Sequence, residues 1–203
     1  MDWFLDGLIY GLQQMTWLEG IAVFFGIASV YYSMKENILV FPTGIISTLI
    51  YVWICLKVGL YADMGINAYY FCMSIYGWFI WSQPNEKGAV LPVTWLNGKG
   101  KATALLLFLV SYALLAFVLV QFTDSDVPYI DSFTTASAFV GMYLMAKKKV
   151  ENWIAWIITD LVSVPLYWYK GLLLTSFQYL FFTVLAVLGL LAWIKSARKN
   201  AIH

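Results

Sequence analysis

Apolar residues fall in seven long blocks, near 17–34, 38–56, 60–81, 102–122, 132–146, 152–169 and 172–194, separated by short polar breaks. A bilayer core about 30 Å thick needs about 20 such residues per helix, so the pattern predicts seven transmembrane helices, the fifth of them short. Residues 1–16, with Asp2, Trp3, Phe4, Asp6, Leu8, Ile9 and Tyr10, predict an amphipathic segment lying at the membrane interface.

The pattern also repeats. Glu36-Asn37 through Trp81 is echoed by Glu151-Asn152 through Trp193. In both stretches an apolar run leads to Gly-Leu (Gly59-Leu60, Gly171-Leu172). A second run then carries a Gly four residues before a Trp (Gly77 and Trp81, Gly189 and Trp193). Internal duplication in a membrane chain points to a transporter with its substrate between related halves. The predicted organisation is an interfacial segment at 1–16, a three-helix repeat at 17–81, a linker with the fourth helix at 82–130, a second repeat at 131–196 and a tail at 197–203.

Charge sets the orientation. With the N-terminus outside, Lys35, Lys87, Lys99, Lys101, Lys147, Lys148, Lys149, Lys195, Arg198 and Lys199 fall inside, and only Lys57 and Lys170 fall outside. The outer loop after the fourth helix holds Asp124, Asp126 and Asp131. The repeats are then parallel, in a three-plus-one-plus-three plan with the fourth helix restoring the direction.

Composition agrees: the chain is 62% hydrophobic and 11% charged, against about 45–50% and about 25% in soluble domains. No basic run suggests nucleic acid. Cys55 and Cys72 lie inside apolar runs and read as buried hydrophobes. The N-terminus lacks the basic stretch of a cleaved signal peptide. The single His203 and the absence of a phosphate-binding Gly-Lys loop argue against an enzyme and against an ATP-driven pump. No cofactor or metal is expected.

The candidate chemistry lies on helix six. Trp153, Trp156, Asp160, Ser163 and Tyr167 recur at three- and four-residue steps and share one stripe. A mid-span Asp costs on the order of 3 kcal/mol on insertion scales, so it normally faces a cavity or a partner. Helix three offers Asn67, Tyr70, Ser74, Trp78 and Trp81. Gln178 lies within helix seven, and Thr43, Ser47 and Thr48 lie on helix two. Asn67 and Gln178 serve equally as interhelical glue, and the hydroxyls can bond back to their own helix. Pro42 and Pro165 predict a static kink or a hinge. Trp17, Trp81, Trp95 and Trp193 read as an interface belt, and Trp153 fits either belt or site. Aromatic faces around one carboxylate suit a flat cation.

The strings ENWIAWIITDLVSV and LYADMGINAYYFCMSIYGWFIW resemble the Pnu-type vitamin transporters, over essentially the whole chain after about residue 17. The resemblance implies seven helices, a homotrimer in the bacterial inner membrane, and facilitated diffusion of a vitamin precursor that a cytoplasmic kinase traps by phosphorylation. It assigns substrate binding to Trp156, Asp160, Gln178, Asn67, Ser74 and Ser47. Nicotinamide riboside members often carry Asn where Asp160, Ser47 and Ser74 stand, and a polar residue where Leu188 stands. The substrate is then nicotinamide riboside, or alternatively thiamine, another ring cation; the riboflavin branch fits an acid less well. The rival from another class is a seven-helix sensory receptor. A retinal protein would need a Lys in the last helix, and 172–194 has none. Proton coupling through Asp160 stays open.

Overall fold

The computed structural model describes residues 15–83 and 91–201, with Ile9 and Gln13. Most of the predicted interfacial segment, Lys87 and His203 lie outside these residues. Among the described residues there are seven helices: α1 Trp17–Met34, α2 Val40–Val58, α3 Tyr61–Ser82, α4 Gly98–Phe122, α5 Pro128–Ala146, α6 Asn152–Tyr169 and α7 Leu173–Asn200. All seven coincide with the apolar blocks, with ends displaced by a few residues. The largest displacements are the starts of α4 and α5 and the end of α7, which run past their blocks through polar turns.

Four of them, α1, α2, α4 and α7, are long and apolar enough to cross a membrane on those grounds alone. The other three hold much of the buried polar content: Ser74 on α3, Ser132, Thr134 and Ser137 on α5, and Asn152, Thr159, Asp160 and Ser163 on α6. Their lower apolarity reflects a face turned inward rather than toward lipid. α5 is the most enclosed, with buried residues from Ser132 to Ala146; α4 has none.

Consecutive helices pack within α1–α3 and within α5–α7. The two groups meet where α3 packs on α5 and α1 packs on α7, while α4 lies against α5. Six helices thus surround a shared interior and α4 stands outside them.

The turns of the two groups are built alike, 112 positions apart. Glu36 and Lys148 both have positive φ, as do Gly59 and Gly171. Asn37 N–H donates to Tyr32 O, and Lys149 N–H donates to Leu144 O, each at 2.9 Å. Leu60 N–H donates to Cys55 O and Leu172 N–H to Tyr167 O, again at 2.9 Å. The backbone therefore matches Glu36 to Lys148, three residues away from the Glu36-to-Glu151 match that the Glu-Asn echo suggests. Similar side chains mislead here because the turn geometry belongs to the backbone.

Trp81 and Trp193 are not interface residues. Both are buried. The Trp81 indole N–H donates to Ala146 O at the end of α5, and the Trp193 indole N–H donates to Ser33 O at the end of α1. Each group thus caps a helix end of the other. Gly77 and Gly189, one turn earlier, lie against Phe41 and Trp153, where a Cβ would overlap the ring. Trp17 and Trp95 are exposed, as a belt requires.

Pro42 sits in the first turn of α2, where its missing N–H would have had no helical partner, so it breaks no hydrogen bond. Pro165 is inside α6. Cys55 is buried but Cys72 is exposed, so only one matches the buried reading.

Candidate substrate site and its relatives

α6 organises the site. Its 18 residues rise about 27 Å at about 1.5 Å each, which puts Asp160 near mid-height. Asp160 is 4% exposed. The ion pairs among the described residues are Lys148–Glu36 and Lys170–Asp131, so no lysine or arginine there neutralises it. Ser163, one turn on, is also buried.

Aromatic rings close around the acid. Tyr70 on α3 and Tyr179 on α7 lie within electrostatic reach of its carboxylate. Tyr70 meets the Trp156 ring at 6.3 Å between centroids. Trp156 lies flat on α5: a Cβ at Gly141 would come within 3.0 Å of the indole. Toward the far end of α6, the Tyr167 and Tyr179 rings stack at 5.1 Å and 9°. An acid, an indole and three phenols from α3, α6 and α7 therefore share one interior region. A carboxylate and the faces of aromatic rings each attract a flat cation.

Other candidate residues are placed elsewhere. Ser47 Oγ donates to Ala22 O at 2.8 Å and ties α2 to α1. Buried Ser74 faces the α2 backbone at Gly44. Asn67 Nδ2 donates to Asp63 O on its own helix at 2.9 Å. Thr43 and Thr48 bond back to Leu39 O and Gly44 O. Trp78 is exposed. Trp153 is buried against Trp193, 5.7 Å between centroids. Gln178 is half-buried, next to Tyr179. Tyr179 itself was not legible as a site residue: it belongs to no polar stripe, and only folding brings it to Tyr167 and the acid.

Below this region, at the lysine-rich end, Trp153, Trp193, Trp81 and Phe41 fill the interior. Beneath them, buried Lys148 lies over the Trp81 ring at 4.3 Å and pairs with Glu36 at 3.8 Å. This pair joins the two three-helix groups. At the opposite end Lys170 pairs with Asp131 at 2.7 Å, both within the second group. Two grooves on the outside of the bundle, between α4, α5 and α6 and between α1 and α7, are lined by none of these residues.

A family profile for nicotinamide mononucleotide transporters matches residues 16–195. The nicotinamide riboside transporter PnuC of Escherichia coli is 27% identical, over 94% of this chain and 90% of its own. The riboflavin/roseoflavin transporter RibM of Streptomyces davaonensis is 25% identical, over 93% of this chain and 90% of its own. The crystal structure of the vitamin B3 transporter PnuC superposes with a TM-score of 0.71, covering 98% of this chain and 91% of that one, at 22% identity, and so shares the fold. With its helices, its turns and nearly its whole length accounted for, the chain belongs to the nicotinamide mononucleotide transporter family.

Proposed function

We propose that this chain carries a cationic vitamin precursor, nicotinamide riboside, across the bacterial inner membrane. The carrying observation is Asp160, buried near the middle of α6, in no ion pair among the described residues, with Tyr70 and Tyr179 within electrostatic reach. An ionised carboxylate at that depth is costly, and a cation bound beside it offsets the cost. The pyridinium of nicotinamide riboside is such a cation, and the relatives named for this substrate support the choice. Gln178, half-buried on α7, would read a ribose or carboxamide group. Thiamine is the alternative, because its aminopyrimidine and its cationic ring both suit a carboxylate. Riboflavin, the substrate in RibM's name, lacks the charge that Asp160 answers.

In this reading the first and second groups are parallel repeats joined by α4, with the N-terminus outside and the lysine-rich end inside. The chain works by facilitated diffusion as a homotrimer, and a cytoplasmic kinase traps the cargo. A binding titration of the purified protein against nicotinamide riboside, thiamine and riboflavin tests the substrate. Asp160→Ala, which removes the carboxyl group, should weaken binding of the cation at least tenfold, about 1.4 kcal/mol, with expression unchanged. Equal affinity in the variant removes Asp160 from the site. Uptake that needs an imposed proton gradient would replace diffusion with coupling.

A further inference from the structure

A groove of about 420 Å³ runs down the outside of the bundle between α4, α5 and α6. We propose that it holds one anionic phospholipid of the leaflet at the lysine-rich end, an acyl chain in the groove and the phosphate at Lys101. Leu105 and Phe108 of α4, Phe133 and Leu144 of α5, and Ile154 and Ile158 of α6 form apolar walls. From Leu144 to Phe133 the groove descends about 16 Å at about 1.5 Å per residue, close to half of a bilayer core about 30 Å thick. Its depth is therefore that of one leaflet, and its polar mouth is at one end only.

That mouth carries the charge that selects the occupant. Lys101, in the first turn of α4, lines it. Lys99 and Lys101 are exposed, and neither belongs to an ion pair among the described residues. Glu151 also lines the groove, but both of its carboxylate oxygens accept from Leu96 N–H, at 3.0 and 3.1 Å, and so are turned to the backbone. Lysines at the membrane surface beside an apolar cleft attract anionic headgroups over zwitterionic ones. Because α4 has no buried residue, a chain lying between α4 and α6 adds to the packing that holds it.

Native mass spectrometry of the full-length protein, with phosphatidylglycerol and phosphatidylcholine of identical chains, tests this. The unaltered protein should retain one phosphatidylglycerol per chain under conditions that strip phosphatidylcholine. Lys101→Glu should lower that preference about fivefold or more and leave vitamin affinity unchanged. Ile158→Trp, which fills the groove, should displace both lipids. The proposal is overturned if the two lipids are retained equally, or if Lys101→Glu keeps the preference. It also fails if Ile158→Trp separates copies of the chain without releasing lipid, which would make the groove a subunit contact.

Discussion

Lys148 shows how one residue can hold a seam closed at a cost. Burial pulls its ammonium below the ordinary lysine range, and this outweighs the opposing effect of Glu36. In any form of the protein where Lys148 is wet, it keeps its proton to higher pH. By linkage, raising the pH between the buried and the ordinary values favours the closed form. The charge is thus a burden on closure that Glu36 only partly offsets. Lys148→Met should leave the lysine-rich end closed, because an apolar side chain over Trp81 needs no counterion. Glu36→Gln should open it, because the ammonium is left buried and unpaired. Labelling of Ser33→Cys by a water-soluble maleimide, in a Cys72→Ala background, reads this out: faster in Glu36→Gln, unchanged or slower in Lys148→Met.

At the scale of helices, the junction between groups rests on paired contacts whose contributions should match. Trp81→Phe and Trp193→Phe each remove one indole hydrogen bond to the end of a helix in the other group. Each should lower unfolding free energy by about 1 kcal/mol, and thermal unfolding in detergent should show similar losses for the two. A clearly unequal pair would mean that the junction is one-sided. α5 makes a different demand. Gly141→Ala pushes a methyl at the Trp156 indole and should weaken vitamin binding about tenfold, with a stability loss of about 1–3 kcal/mol. A titration alongside a melting curve separates the two effects. The Trp packing was partly visible in the sequence: a Gly one turn before each Trp marks close approach. What hid it was position, since a Trp near a helix end reads the same whether it faces headgroups or a neighbouring helix. The shared face of Trp156 and Asp160 on α6 was legible because of their four-residue spacing. Ser47 could not be resolved in the same way, since nothing in its spacing tells a ligand contact from the bond it makes to α1.

Across the whole molecule, the number of helices and nearly all their limits follow from apolar blocks of membrane length. The register between the two groups follows from Gly59 onward, where the Gly and Trp pairs already stand 112 apart, but not at the first turn, where it is carried by left-handed residues at Glu36 and Lys148 that no glycine announces. That register has an outcome for how such a molecule can exist. About a two-fold axis, a residue near the axis meets its own twin. Two identical copies of either three-helix unit would therefore bring carboxylate to carboxylate or ammonium to ammonium at this spot, and repel. The attraction between Glu36 and Lys148 is open only to two units that differ in sequence at this turn, as these two do.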